Sequence, residues 1–242
     1  MTDAAIPVKP AATVMLLRDA DDRIEVFMLR RTTTAAFAGG MYVFPGGKVD
    51  EADGQGDPGY VIAAIRECFE EAGVLLATDE NGTMIADGHP ALAQRHAVHD
   101  GTSDLLELCR EHSLRPAIDD LVWVSRWITP VGESSRRFDT RFFIAVAPPG
   151  QTSRHDDNET IASTWIRPDD ALQREVDGEL TMMPPTIKSL EYLVLHSDAA
   201  SVMASARRLE RPVPIEPRLR RNAAGRISGV SLPGDDDYAD LV

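Results

Sequence analysis

The sequence predicts a mixed α/β or α+β sandwich, and three observations carry that prediction. Short apolar runs rich in Val, Ile, Thr and aromatic residues recur between residues 12 and 166. Segments of helical periodicity are interleaved with them, and elements alternating in this way pack as layers. The composition, 43% hydrophobic and 26% charged, is that of an ordinary globular chain, which excludes gross disorder and collagen-like repeats. At 242 residues the chain can bury a sizeable core.

Residues 12–17 and 24–29 are apolar runs flanking Asp19-Ala20-Asp21-Asp22, so they predict a hairpin. Met41-Tyr42-Val43-Phe44 predicts a third strand, ended by Pro45-Gly46-Gly47. A polar, Gly-rich loop over 50–56 leads to Pro58, which opens a strongly periodic helix closed by Gly73. Residues 91–98 and 103–112 have weakly amphipathic helical patterns. The stretch 79–120 reads as a helical insertion, because no Pro/Gly/Ser linker bounds it. Strands are expected at 121–129, 137–147 and 162–166. In the second, Phe138, Thr140, Phe142 and Ile144 alternate onto one side, and Trp123 and Trp127 are expected to share a face of the first. Helices are expected at 168–174, 185–196 and 199–209. Residues 214–232 predict a hairpin around Asn222-Ala223-Ala224-Gly225, and Asp235-Asp236-Asp237 begins an acidic tail expected to be mobile. The chain reads as one domain over 1–242, with 182–242 as a C-terminal helical and hairpin extension.

The net charge of −14 repels nucleic acid, and the densest basic run, Arg218-Leu219-Arg220-Arg221, is short. No apolar run approaches the roughly 18 residues that span a bilayer. The first residues, Met1-Thr2-Asp3-Ala4-Ala5, are acidic where a signal peptide is basic. Two cysteines, Cys68 and Cys109, make no disulfide framework. These features predict a cytoplasmic protein with no nucleic-acid or membrane partner. A small anionic substrate would need local arginines or a bound cation to offset the field.

The helix from Pro58 to Gly73 concentrates the chemistry. At about 100° per residue, Val61, Ile62, Ile65, Cys68, Phe69 and Ala72 form its apolar face. Glu67, Glu70 and Glu71 fall opposite, three and four residues apart, with Arg66 at their edge. Solvation alone can carry such a face. The alternative is a hard-cation site, because carboxylate oxygens suit Mg²⁺ or Mn²⁺ and such ions bridge phosphate oxygens. Arg66, four residues before Glu70, is placed to hold that carboxylate.

Gly47 followed by Arg66-Glu67-Cys68-Phe69-Glu70-Glu71-Ala72-Gly73-Val74 resembles the nudix box: Gly, five residues, Glu, seven residues, then Arg-Glu-apolar-any-Glu-Glu-any-Gly-apolar. The second half matches at every fixed position. In the first half Asp53 stands where the family has Glu, and twelve residues rather than seven separate it from Arg66. The extra residues fall in the loop Gly54-Gln55-Gly56-Asp57. The resemblance implies an α/β/α sandwich with a mixed β-sheet. It also implies a metal-dependent pyrophosphohydrolase using Mg²⁺ or Mn²⁺ on Glu67, Glu70 and Glu71. Nudix hydrolases often carry a further acid six residues before a strand-opening Trp; Glu159 stands six before Trp165, beside Asp156 and Asp157.

The interrupted box, the helical segment after it, and the runs Phe44-Pro45-Gly46-Gly47, Arg136-Arg137-Phe138-Asp139-Thr140-Arg141-Phe142-Phe143 and Met183-Pro184-Pro185-Thr186 resemble one nudix branch. It contains the peroxisomal coenzyme A diphosphatases and their bacterial relatives. A separate coenzyme A signature known in nudix enzymes precedes the Phe-Pro-Gly-Gly and wants two arginines five apart and then a glycine. Arg31 and Gly40 fit it, and Ala36 stands at the second arginine. The ending Asp240-Leu241-Val242 is no peroxisomal address. The favoured substrate is therefore coenzyme A or an acyl-coenzyme A. Other nudix proteins act on ADP-ribose, a dinucleotide or an oxidised nucleoside triphosphate, or only sense a nucleotide. The expected catalytic residues are Glu70, Glu71, Arg66 and Glu159, and the expected metal ligands are Glu67, Glu70, Glu71 and Glu159. Gly46, Gly47, Lys48, Arg31, Arg137 and Arg141 are expected to bind substrate, with Arg30, Arg136 and Arg154 as further cations. Phe37 and Tyr42 are candidates to stack on a base, with core packing as the alternative. By analogy the protein forms a homodimer. His96 and His99 are expected at the surface, and Cys68 as a buried, inert thiol.

Overall fold

The computed structural model describes residues 6–21, 23–33, 38–156 and 160–241. The fold is organised around β1 (Val8–Ala20), whose alternating side chains supply two separate cores. Ala12, Val14 and Leu16 face one, and Met15 and Leu17 face the other, all nearly inaccessible to water. β1 turns into β2 (Arg23–Arg31) as the predicted antiparallel hairpin, with Leu17 opposite Val26. On its other edge β1 runs parallel to β8 (Arg137–Val146), which pairs antiparallel with β7 (Val122–Ile128). β3 (Tyr42–Val43) and β9 (Thr160–Ile166) extend the sheet from β2. The sheet is therefore mixed, as expected.

Gly46 and Gly47, expected to end a strand, form one. β4 (Gly46–Lys48) pairs with Ala11–Thr13 of β1. Lacking side chains, the two glycines let a strand lie where a Cβ would collide: at Gly46 it would stand 2.5 Å from the Ala12 carbonyl oxygen.

The periodic helix is α1 (Gly56–Glu67), continued by a π-helical turn over Cys68–Ala72. Gly73, at φ 71°, closes it, as its position in the sequence indicated. Ile62, Ile65, Cys68 and Phe69 pack into the first core, as the amphipathic pattern requires. The segment after the box pairs β5 (Ala77–Thr78) with β6 (Arg115–Pro116) and carries α2 (Arg95–His99) and α3 (Leu105–Glu111). Val98, Leu105 and Leu108 join the same core, so these helices form a layer with α1.

On the opposite face α4 (Pro168–Val176), α5 (Pro184–Leu193) and α6 (Ala199–Ala206) bury Ala171, Leu190, Leu193, Val202 and Met203 in the second core. The result is an α/β/α sandwich. Among the described residues no helix is long and apolar enough to cross a membrane.

Three local expectations differ from the structure. Trp123 and Trp127 fall in different cores, because a bulge between Trp123 and Ser125 shifts the register and flips alternation. β10 (Pro214–Ile215) leaves the C-terminal hairpin and pairs with β7, so the hairpin is β11 (Arg218–Arg221) with β12 (Ile227–Ser231). The acidic tail is tied down: Arg220 donates to both Asp237 carboxylate oxygens at 2.6 and 2.8 Å, and Tyr238 donates its hydroxyl to the Glu216 carbonyl.

Candidate active site

The π-helical turn after α1 presents its acids to a cleft of about 680 Å³. A π turn holds one residue more than an α turn, and such turns occur often at functional sites. Glu67, Glu70 and Glu71 line the cleft together with Arg31, Gly46, Gly47, Lys48, Arg66 and Arg136. Phe138 and Thr140, from one face of β8, form part of its wall.

Arg66 organises the acids. It is buried, and its Nη1 donates to Glu67 Oε1 at 2.9 Å and to Glu70 Oε1 at 3.1 Å. Its Nε and Nη2 donate to the two Asp53 oxygens at 2.9 Å each, and Nη2 also reaches the Lys48 carbonyl at 2.7 Å. Burial works against the guanidinium's charge, but Asp53, Glu67 and Glu70 together raise its pKa.

Asp53 is the residue that sequence reasoning placed least firmly. The inserted residues are absorbed by a tight turn over Glu51–Asp53 and by Gly54 and Gly56 at positive φ. Gly59 then lets the Gly54 carbonyl approach α1, since a Cβ there would stand 2.6 Å from that oxygen. The loop bulges outward and Asp53 returns to Arg66, buried, as a bidentate partner.

Gly46 and Gly47 each face a carboxylate. The Gly46 amide donates to Glu71 Oε2 at 2.8 Å, and a Cβ on Gly47 would lie 2.3 Å from Glu67 Oε1. Arg31 Nη1 approaches Glu71 Oε1 at 3.8 Å. From the helical segment after the box, Arg95 Nε donates to the Glu70 carbonyl at 2.9 Å, satisfying backbone that the π turn leaves open. Burial pushes the Glu67 carboxyl up to about 8, with Arg66 opposing and Glu70 adding to the rise. Burial also raises Glu70, again against Arg66.

The family of these residues follows from comparison with known proteins. The NUDT19 Nudix domain family matches residues 55–193, more than half of the chain, and the general NUDIX domain family matches 7–102. The chain is a nudix hydrolase. It is 30% identical to a nudix hydrolase from Alicyclobacillus acidocaldarius, with a TM-score of 0.72 over 83% of this chain and 97% of that one. It is 28% identical to the acyl-coenzyme A diphosphatase NUDT19 of Xenopus laevis, over 88% of this chain and 71% of that protein. Against the Homo sapiens protein of the same name identity is 30%, over 75% of this chain and 51% of that protein.

Not every residue singled out from the sequence meets in this nudix hydrolase's cleft. Glu67, Glu70, Glu71, Arg66, Arg31, Gly46, Gly47 and Lys48 do. Arg141 does not, because alternation along β8 turns it away from the Phe138–Thr140 face. It stacks 3.8 Å from the Tyr60 ring centroid and 4.3 Å from that of Trp123, and donates to Asp57 at 2.7 Å. Arg137 pairs with Glu216 and reaches the Thr129 carbonyl instead. Glu159 and Phe37 lie outside the described residues. Tyr42 packs on the second core, as the alternative reading had it. His99, expected at the surface, lines the cleft, and its buried Nδ1 has no hydrogen-bond partner among the described residues. Helical spacing linked it to His96, but only the docking of α2 on the π turn turns it inward. Cys68 is fully buried and its thiol is pushed up to about 12, so it is unreactive.

The three carboxylates line one cleft without closing on a common point. Among the described residues no three Asp, Glu, His or Cys side chains are gathered tightly enough to hold a metal. Arg66 and the Gly46 amide hold them instead. The side chains nonetheless suit a hard divalent cation: all three offer carboxylate oxygens, and burial disfavours the charged form of Glu67 and Glu70, which a cation would offset.

Proposed function

We propose that this nudix hydrolase cleaves the diphosphate of coenzyme A or an acyl-coenzyme A, giving a 4′-phosphopantetheine and adenosine 3′,5′-bisphosphate. The observation that carries the reading is the single cleft in which the three box carboxylates lie beside Arg31, Lys48 and Arg136. Anionic oxygens need both: carboxylates for a divalent ion, and separate cations for phosphates that the ion does not reach. The relatives named acyl-coenzyme A diphosphatase favour this substrate among diphosphates.

Glu67, Glu70 and Glu71 would hold Mg²⁺ or Mn²⁺. The ion supplies charge neutralisation at the diphosphate and a more acidic water. Arg66, fixed by Asp53, keeps Glu67 and Glu70 oriented, so the carboxylates are arranged before substrate arrives. Arg31 and Lys48 orient the anhydride by charge. A water oxygen attacks one phosphorus, the bridging oxygen leaves with the other phosphate, and a box carboxylate or Glu159 takes the water's proton.

The test is a mass spectrum of products after incubation with coenzyme A and Mg²⁺ or Mn²⁺, beside Glu70→Gln. Both products, metal-dependent and absent in the variant, are expected. Intact coenzyme A with cleavage of ADP-ribose would move the substrate elsewhere in the family. Wild-type turnover by Glu70→Gln would remove Glu70 from the chemistry.

A further inference from the structure

Beside the carboxylate cleft lies a second, smaller pocket of about 150 Å³. Thr13, Arg31, Gly46 and Thr140 line both, so the two adjoin. Phe44, Trp127, Phe142, Met183, Pro184 and Val230 make the pocket predominantly apolar. Lys48 and Arg136 line the cleft and are not among the pocket's lining residues. Arg31, on the side shared with the cleft, is the one cation among the pocket's described lining residues; its acid, Glu133, has no ion pair among the described residues and its carboxyl is raised by burial.

These features sort the two halves of the substrate proposed above, and the inference rests on that reading. Gly46, whose amide donates to Glu71 in the cleft, also lines the pocket, so a group seated there stands close to the place proposed for the diphosphate. In coenzyme A the pantoyl end does so: its dimethyl-substituted carbon is separated from the phosphate ester oxygen by one methylene. On the other side a ribose stands between diphosphate and adenine, and that ribose bears a 3′-phosphate. A phosphate dianion beside Glu133 would meet repulsion and desolvation together. A dry apolar cavity of about 150 Å³ holds a benzene-sized group, a size that suits the dimethyl pantoyl unit.

We propose that the Phe44–Trp127–Phe142 pocket seats the pantoyl end of the pantetheine arm, while the 3′-phosphoadenosine half lies along the Lys48–Arg136 side of the cleft. The orientation makes the arm the half read by shape and the nucleotide the half read by charge.

Inhibition by the two products tests this on the full-length protein with its metal. Val230 is half-buried on the C-terminal hairpin, so Val230→Phe fills the pocket from its edge. The variant is expected to raise the Ki of 4′-phosphopantetheine by about tenfold or more and to leave that of adenosine 3′,5′-bisphosphate unchanged. The unchanged constant also shows that the variant is folded. Trp127→Phe, which enlarges the same pocket, should weaken the same product selectively. The reverse pattern would place the adenosine half in the pocket and overturn the orientation. An equal change in both constants, or in neither, would overturn it as well. Failure of the wild-type protein to cleave coenzyme A is a separate result: it removes the substrate reading and this inference with it.

Discussion

Gly47 and Glu67 are in such close approach that a Cβ on the glycine would stand 2.3 Å from Glu67 Oε1. The contact explains why a glycine in a strand and a glutamate at the end of a helix, twenty residues apart, belong to one motif. Any side chain at 47 pushes the carboxylate off Arg66. Gly47→Ala is therefore expected to lower kcat by about 10²-fold, the scale of a displacement of about 1 Å. Its circular dichroism spectrum should match the parent's. Full activity in Gly47→Ala would mean that Glu67 has no fixed role.

Asp53 and Arg66 form a buried bidentate pair, and breaking such a pair by removing one partner costs about 3–5 kcal/mol. Asp53→Ala should lose stability of that order in urea unfolding. It should also lose activity, because Arg66 would no longer hold Glu67 and Glu70 in one orientation. A midpoint within experimental error of the parent's would assign the anchoring to Asp50, which approaches Arg66 at 3.6 Å.

The raised Glu67 carboxyl links stability, pH and metal. Its ordinary value is 4.5 and its folded value is about 8, so between these the folded protein keeps a proton that the unfolded chain has released. Metal-free stability must then fall as pH rises through that window, and Glu70 contributes with the same sign. Asp57 and Asp237, both lowered, act at pH values below their ordinary 3.8 and do not interfere. A divalent ion prefers the carboxylate, so adding Mg²⁺ should flatten the decline and release protons. Melting curves with EDTA and with Mg²⁺ across about pH 5 to 9 measure both effects. A metal-free melting temperature that climbs through the window would contradict the assignment.

Arg141, sandwiched between Tyr60 and Trp123, serves the fold. A desolvated cation–π contact is worth about 2 kcal/mol, and the Asp57 bond adds to it. Arg141→Met should unfold at lower denaturant concentration, while the KM of the folded fraction stays at the parent value. An increase in KM with unchanged stability would return Arg141 to substrate binding.

Much of this molecule is written locally. Alternation in residues 12–17 and 137–147, the apolar face of the box helix, and Gly73 at its end each depend only on near neighbours, so strands, helix and acid face were legible. The matched half of the box gave the family for the same reason: its residues sit within one stretch of helix. Events between segments were not legible. The bulge at Trp123–Ser125, the strand made by Gly46–Lys48, and the pairing of Pro214–Ile215 with β7 are settled by which backbone lies alongside. The return of Asp53 to Arg66 across a lengthened loop, and the turning of His99 into the cleft, are likewise settled by packing. By itself the sequence determined the family and the grouping of the acids on one side of a helix, because spacing on one helix fixes which side chains are neighbours. Only the tertiary structure decided which arginines serve the cleft and which serve the core, and that an apolar pocket opens beside the carboxylates. Those outcomes depend on contacts between elements distant along the chain, which no local pattern encodes.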